Sequence, residues 1–422
     1  MMMNRRTFMR SSVACSALLA TGPAWIGKTA YKTPVRITKG PSGHWFGYYD
    51  KWQVDPSGRF ALGCRVGFEE RSPLGSDKLE IGLIDLEEGN RWKKIGETNA
   101  WGWQQSCMLQ WIPGSSQEVI WNDRQGDTYV SRTYHIQTEQ TRTLPEPIYT
   151  LAPNGSFAIG TAFNRIQNLR PGYGYAGISD PYQHIKAPDE IGLYTMDLKT
   201  GSTTSLLSLA DLAAIPHLGE DVSDNWHWFN HLLVSPDSKR LLFLHRWRPE
   251  ILENQIMART GFVTRMITVD TAGKDLYVAD PSGNSSHFVW RDPNHILVWT
   301  RPVGKQNGFW LIKDKTKEME LIGEEAMDRN GHNTYVPQTN EEWVLNDTYP
   351  DKERKITLYL YHIPSNRKVI LGKFHSPERF VGEWRCDLHP RCDQQGRRVF
   401  FDSTHEGSRQ MYYLDISDIV GS

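Results

Sequence analysis

Residues 230–245 read NHLLVSPDSKRLLFLH, in which a Ser-Pro-Asp-Ser turn separates two apolar runs. Proline presets the backbone φ of a turn and Asp or Ser accepts the following position, so the two runs are predicted to be neighbouring antiparallel strands. A similar run, turn and second run recur roughly every 45 to 60 residues, a spacing typical of repeat architectures. The seven turns lie at residues 55–58, 112–115, 152–155, 235–238, 292–294, 336–338 and 391–396.

Further β-rich runs follow these turns and resemble one another. They have the composition of a third strand and lie at residues 81–86, 191–198, 357–361 and 411–416. Four short strands per repeat are the sequence signature of a β-propeller. We therefore predict an all-β chain that folds as one seven-bladed β-propeller of four-stranded blades over residues 31–422, with a short helix within residues 206–214. An array of β-sandwiches is the alternative, but it needs linkers, and the sequence has no Ser/Gly-rich or charge-biased linker.

The first 30 residues have the features of a targeting segment. Arg5 and Arg6 lie in NRRTFMR, which is close to a twin-arginine export signal, and a short apolar stretch follows at residues 13–20. That stretch is too short to span a bilayer stably. We predict a signal peptide over residues 1–30, a periplasmic or secreted product, and no stable membrane insertion after the signal is removed. Because this route carries folded proteins, it also favours a bound metal.

Charge and aromatic content limit the classes of ligand. The formal net charge is -1, so no global field attracts nucleic acid, and an anionic ligand must meet local positive charge. The chain has 16 tryptophans, whose faces stack on sugar rings but also fill the space between sheets. The segments at 44–50 and 227–231 share a His-Trp-Phe core, which fits a sugar subsite or a packed blade entrance.

Histidines recur at one position of the repeat. His231, His287 and His332 each lie five or six residues before the proline of a turn, and His389 directly precedes Pro390 in the last unit. The first strand of every propeller blade lines the central channel, so these positions are expected to converge. Neutral imidazoles there would form a site for a divalent cation, Mn²⁺ or Zn²⁺. The alternative is that each is a polar side chain at a wet channel mouth.

Four cysteines follow the predicted signal, too few for a disulfide framework in so large a domain. Cys64 and Cys107 lie in strand-like runs and are predicted to be buried thiols. Cys386 and Cys392 flank His389 in CDLHPRC, where two thiols and an imidazole could hold zinc. A buried thiol pair or a local disulfide is the alternative.

Two segments, at residues 164–188 and 247–264, are longer than a blade turn requires, and long loops on a rigid scaffold usually shape a site. The first contains RPGYGYAG, in which Tyr173 and Tyr175 suit a binding loop. Arg246 and Arg385 are candidates for binding a carboxylate through two parallel hydrogen bonds, or for ion pairs between blades.

The stretch 230–245 resembles the blade pattern of oligogalacturonate lyases, in which a His precedes a Ser-Pro-Asp turn and a second His closes the next strand. The segments around His287 and from Arg385 to His405 are similar in layout, so the resemblance covers about the C-terminal half. Propeller-type ulvan lyases are comparable in architecture and in His, Tyr and Arg usage. The resemblance implies a propeller that cleaves acidic, uronate-containing oligo- or polysaccharides. The chain lacks the Gln-x-x-His-x-His ligand run expected of such lyases, since His389 stands alone.

The chemistry of a uronate lyase assigns roles to these residues. The reaction removes the proton α to the carboxylate and expels the 4-linked sugar, so it needs a base and positive charge near the carboxylate. His231, His245, Tyr173 and Tyr175 are the predicted acid or base, and Arg246 with the imidazole-bound metal is the predicted source of positive charge.

Two other functions stay open. A non-catalytic propeller that binds envelope glycan or protein partners would have the same repeats. A glycoside hydrolase needs two carboxylates across the scissile bond. Asp347, Asp351, Asp387 and Asp402 are available for that role, but no spacing singles out a pair.

Overall fold

Seven antiparallel sheets of four strands each make up a seven-bladed β-propeller, in a computed structural model that describes residues 31–250 and 261–421. This confirms the predicted fold class. The predicted signal peptide lies outside the described residues. Within the described part of the chain, no helix has the length and apolar character needed to cross a membrane.

The strands follow one another in chain order within the first six blades. The first strand of the described residues is β1 (Val35–Arg36). Blade 1 comprises β2 (Gly43–Trp45), β3 (Phe60–Val66), β4 (Leu79–Asp85) and β5 (Arg91–Thr98). Blade 2 comprises β6 (Gln110–Trp111), β7 (Glu118–Gln125), β8 (Thr128–His135) and β9 (Thr141–Leu144). Blade 3 comprises β10 (Thr150–Leu151), β11 (Phe157–Thr161), β12 (Gly192–Asp197) and β13 (Thr203–Ser208). Blade 4 comprises β14 (Trp226–Val234), β15 (Arg240–Arg248), β16 (Val263–Asp270) and β17 (Tyr277–Asp280).

The remaining blades continue the pattern, and the last one also uses the first strand of the chain. Blade 5 comprises β18 (Phe288–Asp292), β19 (His295–Thr300), β20 (Gly308–Lys313) and β21 (Met319–Ile322). Blade 6 comprises β22 (Thr334–Tyr335), β23 (Trp343–Asn346), β24 (Lys355–His362) and β25 (Arg367–His375). Blade 7 comprises β26 (Arg391–Cys392), β27 (Arg398–Ser403), β28 (Gln410–Asp415) and β1, which pairs antiparallel with β28. The ring is therefore closed by strands from opposite ends of the described chain.

The burial of β15 explains why the strands of the repeat are so apolar. Leu241 and Phe243 pack into an apolar cluster with residues of blade 3, whereas Leu242 and Leu244 pack into a second cluster with residues of blade 5. Successive side chains of a strand point to opposite faces of the sheet. Both faces of blade 4 are thus covered by neighbouring blades, which calls for a continuous apolar run rather than an alternating one.

The proline turns join strands as predicted. All seven lie between the first and second strands of a blade, and the four predicted third strands are β4, β12, β24 and β28. In the turn that follows β14, the Ser238 N–H donates to the Ser235 carbonyl at 2.8 Å, and Ser235 Oγ donates to Asp237 Oδ1 at 2.7 Å. These bonds satisfy the polar groups of the turn, so the chain reverses sharply into β15.

Short helices occur only at a few connections of the described chain: α1 (Phe163–Leu169), α2 (Leu209–Ala213), α3 (Ser417–Val420) and a 3₁₀ turn at Gly382–Trp384. Helix α2 is the predicted helix, and Ser208 and Asp211 form a capping box at its start. The first insertion, residues 164–188, begins within α1 and is irregular after that helix. Part of the second insertion, residues 251–260, lies outside the described residues. Four cysteines, Cys64, Cys107, Cys386 and Cys392, are buried free thiols.

Candidate functional site

Histidines from four blades come together on the propeller axis. His231 lies on β14, and His287, His332 and His389 lie just before the first strands of blades 5, 6 and 7. The ring centroids of His287 and His332 are 4.2 Å apart, and those of His332 and His389 are 4.3 Å apart. His231 is linked to this row through Tyr48, whose ring lies 5.0 Å from His231 and 5.2 Å from His389. All four imidazoles are buried.

Three of the axial side chains form a group that could hold a metal ion. One ligand atom from each of His332, Asp387 and His389 lies within 4.8 Å of the others. Nδ1 of His332 lies 2.9 Å from Oδ1 of Asp347, which leaves Nε2 as its ligand atom. Burial lowers the pKa of His332, but the charge and hydrogen bond of Asp347 together with the charge of Asp387 outweigh burial, and the net shift is upward. A carboxylate behind a ligating imidazole is the usual outer partner in metal sites.

The donor set fits a divalent cation. Nε2 of His389 is buried and has no hydrogen-bond partner among the described residues. An orphaned buried nitrogen calls for an explanation, and a bound ion is one. Two imidazoles and one carboxylate are ligands that suit Mn²⁺ or Zn²⁺. Neither Cys386 nor Cys392, from the same segment, belongs to the group.

The other two predicted metal ligands lie beside this group. Nδ1 of His287 is 2.9 Å from Oδ1 of Asn330, which orients the ring next to His332. His231 instead places Nε2 at 3.4 Å from Oδ2 of Asp50. The structure thus brings His332 and His389 into one set of possible ligands, with His287 in contact and His231 held by a different carboxylate.

The backbone is strained at two of these histidines. His231 has a φ of 52° and His389 a φ of 43°, both in the left-handed region that favours glycine. The His231 N–H donates to the Tyr149 hydroxyl at 2.7 Å, and the His231 ring stacks on Phe288 at 3.9 Å. Strain of this kind persists only where the surroundings over-determine the conformation, and it concentrates at functional sites.

Asp387 is the possible ligand that the histidine repeat did not reveal. It lies two residues before His389, in the CDLHPRC segment whose two thiols and imidazole formed the other metal candidate of the sequence. A carboxylate so near a candidate imidazole in the chain can join the same ligand set. The Asp-Leu-His spacing was therefore the available signal, but a search limited to the repeated imidazoles did not use it.

A cavity of about 320 Å³ lies next to the imidazole row and shares His231 and His287 with it. Strand residues of blades 4 and 5 supply part of its remaining lining, and the rest comes from connections between strands, including the first insertion. None of the described lining residues is an aspartate or a glutamate, whereas three are arginines. The polar and aromatic lining residues are Tyr48, Arg170, Tyr173, Asn230, Arg246, Phe262, Thr264, Asn284, Ser285, Ser286, Trp299, Asn330, Tyr349 and Arg385.

Tyr173 is a cavity side chain whose surroundings bring its pKa toward neutral pH. Its hydroxyl oxygen accepts a hydrogen bond from Nη2 of Arg385 at 2.9 Å, and the Arg170 guanidinium lies 5.0 Å from its ring centroid. Burial raises the pKa of Tyr173, but the charges of Arg385 and Arg170 outweigh burial and lower it to about 7. A phenol with that pKa can exchange a proton near neutral pH, as a general base requires.

Arg246 presents a positive charge to the same cavity. Its Nη1 donates to Asn230 Oδ1 at 2.7 Å and its Nε to Thr264 Oγ1 at 3.2 Å. Burial lowers the pKa of this guanidinium, and it forms no ion pair with any residue that the structure describes. A buried cation without an anion is costly, so an anionic ligand at this position would offset its desolvation.

Two of the predicted catalytic residues do not line the cavity. His245 lies on β15, where Nε2 is 2.8 Å from Nδ1 of His227 and Nδ1 accepts from Nε of Arg265 at 3.1 Å. Tyr175 is fully buried, its ring is stacked on Phe163 at 4.2 Å, and its pKa is raised well above the usual value by burial. Both side chains pack inside the scaffold, while Tyr173, Arg246 and His231 line the cavity.

The fold is similar to several solved propellers. Oligogalacturonate lyase from Vibrio parahaemolyticus matches with 13% identity and a TM-score of 0.64, over 94% of this chain and 96% of that one. An oligogalacturonate lyase in complex with manganese matches with 13% identity and a TM-score of 0.64, over 93% and 97%. The propeller domain of the trilobed protease from Pyrococcus furiosus matches with 11% identity and a TM-score of 0.51, over 88% and 96%. No protein-family model and no curated protein sequence matches the chain. At these identities the likeness shows the fold.

Proposed function

We propose that this chain is a lyase that cleaves uronate-containing acidic glycans by β-elimination. The observation that carries the proposal is a cavity with three arginines, no carboxylate among its described lining residues, and a tyrosine whose pKa lies near 7. The structural similarity to two oligogalacturonate lyases over nearly the whole chain supports it.

The elimination can be assigned to residues of the cavity. The Tyr173 oxygen takes the proton at C5 of the uronate, the electron pair of that C–H bond forms the C4–C5 double bond, and the C4–O bond breaks. The departing oxygen needs a proton, which the Tyr173 hydroxyl can return once it has taken the C5 proton. Arg246 meets the uronate carboxylate and stabilises the charge that develops on it.

Arg385 and Arg170 act on Tyr173 by keeping it ionised near neutral pH. Arg385 is itself held by Asp387, whose Oδ2 accepts from its Nε at 2.6 Å. His332, Asp387 and His389 would hold a divalent cation, Mn²⁺ or Zn²⁺. That ion would supply further positive charge for a carboxylate in the adjoining cavity.

A hydrolase is less well supported. Hydrolysis of a glycosidic bond uses two carboxyl groups on either side of the bond. The described lining of the cavity supplies none. Asp347 is bonded to His332, Asp387 to Arg385 and Asp402 to Arg391, so these carboxylates serve cationic or imidazole partners.

We also propose that the protein works outside the cytoplasm, in the periplasm or after secretion. The support is the twin-arginine pattern at Arg5 and Arg6, together with a substrate class found in extracellular and envelope polysaccharides.

The test is incubation of the purified protein with a panel of acidic glycans while near-ultraviolet absorbance is followed. Elimination creates an unsaturated uronate that absorbs there, so at least one glycan is expected to give a rising signal. The control is the same glycan with its carboxyl groups reduced to alcohols, which should give none. If the whole panel gives no signal while acidic glycans still bind, the protein is a non-catalytic glycan-binding propeller and the proposal fails.

A further inference from the structure

The lining of the cavity contains two chemically different groups of side chains. One group, here called the arginine wall, is defined by Arg170, Tyr173, Arg246, Phe262 and Arg385. Its members contact one another. Arg385 donates a hydrogen bond to the Tyr173 hydroxyl, and the Arg170 and Arg246 guanidinium groups lie 4.9 Å and 5.1 Å from the ring centroid of Phe262. Positive charge is therefore concentrated on this wall.

The other group, here called the neutral wall, is defined by Asn284, Ser285, Ser286, Trp299 and Asn330. Asn330 Nδ2 donates to Ser286 Oγ at 3.2 Å, and the Ser286 N–H donates to the Trp299 carbonyl at 3.0 Å. The wall thus offers amide and hydroxyl groups beside an indole, and none of its five side chains carries a charge. His287 lies next to it, held by Asn330.

Trp299 differs from the tryptophans of the scaffold. Trp45, Trp101, Trp103, Trp111 and Trp228 are among the largest fully buried side chains, whereas Trp299 is partly exposed and lines the cavity. Its ring lies against Phe309 at 5.1 Å with an interplanar angle of 67°. Its indole N–H forms no hydrogen bond within residues 31–250 and 261–421. An aromatic face with a free donor suits the apolar face and hydroxyl of a sugar.

We infer that the cavity binds a uronate against the arginine wall and an uncharged sugar against the neutral wall. The substrate class is then a glycan in which a uronate is linked to a neutral sugar, rather than a polymer of uronates alone. A second carboxylate on the neutral wall would lose water without meeting a cation, which costs free energy. This inference rests on the proposed function only for the identity of the acidic sugar.

The test uses Tyr173→Phe protein, so that ligands bind without turnover, and two tetrasaccharide probes. One is an oligouronate, and the other alternates a uronate with a neutral hexose. Calorimetric titration is expected to give at least about tenfold tighter binding of the alternating probe. Trp299→Ala in the same background should weaken the binding of the alternating probe about tenfold and remove the fluorescence change on binding. Trp299→Phe should keep most of the affinity for that probe. The matched control is Trp52→Ala, since Trp52 is exposed and does not line this cavity.

Equal or tighter binding of the oligouronate overturns the inference. So does an unchanged affinity for the alternating probe after Trp299→Ala, or an absence of binding by both probes. Failure of the lyase proposal looks different. In that case the alternating probe binds through Trp299, but wild-type protein releases no unsaturated product from it. If wild-type protein eliminates the oligouronate in preference to the alternating glycan, the lyase proposal stands and the inference fails.

Discussion

Tyr173→Phe is expected to lower the rate of elimination by a factor of about 10²–10⁴ while the glycan still binds. The variant removes one oxygen, the atom that accepts the hydrogen bond from Arg385 and is placed to take the C5 proton. The measurement is the rate of unsaturated product under saturating substrate, with binding followed by calorimetry. Tyr175→Phe is the matched comparison, because Tyr175 is two residues along the same loop but is packed on Phe163 outside the cavity. It should retain most of the activity.

The same tyrosine predicts the direction of the pH dependence. The charges of Arg385 and Arg170 outweigh burial and lower the pKa of Tyr173 to about 7, so the phenolate that acts as base predominates above that value. The rate should therefore rise as the pH increases through about 7, and this rise should be absent in the residual activity of Tyr173→Phe. A wild-type rate that is flat between about pH 5.5 and 8.5, or a Tyr173→Phe variant as fast as wild type, would contradict the assignment.

The second large effect concerns the metal. Protein stripped with a chelator and reloaded is expected to bind one Mn²⁺ or Zn²⁺ per chain, and Asp387→Asn or His389→Ala should weaken that binding at least about 100-fold. His389→Ala removes one of the three ligand atoms that lie within 4.8 Å of one another, and Asp387→Asn replaces an anionic carboxylate oxygen of that group by a neutral amide. Chelation should also lower the elimination rate. The measurements are metal analysis of the purified protein and calorimetric titration, with circular dichroism to check folding.

His231→Ala is the informative comparison for the metal, because His231 is held by Asp50 rather than by a member of the group. It should still bind the ion, although it changes the cavity. Full metal binding by His389→Ala, or loss of the ion from His231→Ala alone, would show that the ligand set is different.

The scaffold was largely predictable from the sequence because its signals are local. Proline presets a backbone angle wherever it occurs, so the turns such as 235–238 could be placed without knowing the tertiary contacts. The continuous apolar run at Leu241–Leu244 likewise reflects two covered faces of one sheet. Histidines at one repeat position could be expected to meet, since equivalent positions of first strands share the channel.

The site was harder to predict because its signals are not periodic. Tyr173 and Tyr175 are equivalent in the sequence of the loop, and only the packing of Tyr175 on Phe163 separates them. Asp387 is outside the histidine repeat. Arg170, Asn330 and Trp299 come from different parts of the chain, and only the closed ring brings them around one cavity.

Elimination and hydrolysis are distinguished most directly by whether an oxygen atom from water enters the cleavage products. A glycan from the panel that is cleaved should be digested in water enriched in ¹⁸O, and the new chain ends analysed by mass spectrometry. Elimination breaks the C4–O bond without adding water, so the account predicts an unsaturated uronate and no ¹⁸O in the cleavage products beyond the slow exchange seen in uncleaved controls. One ¹⁸O incorporated per bond broken, with no unsaturated uronate, would show hydrolysis and contradict the account.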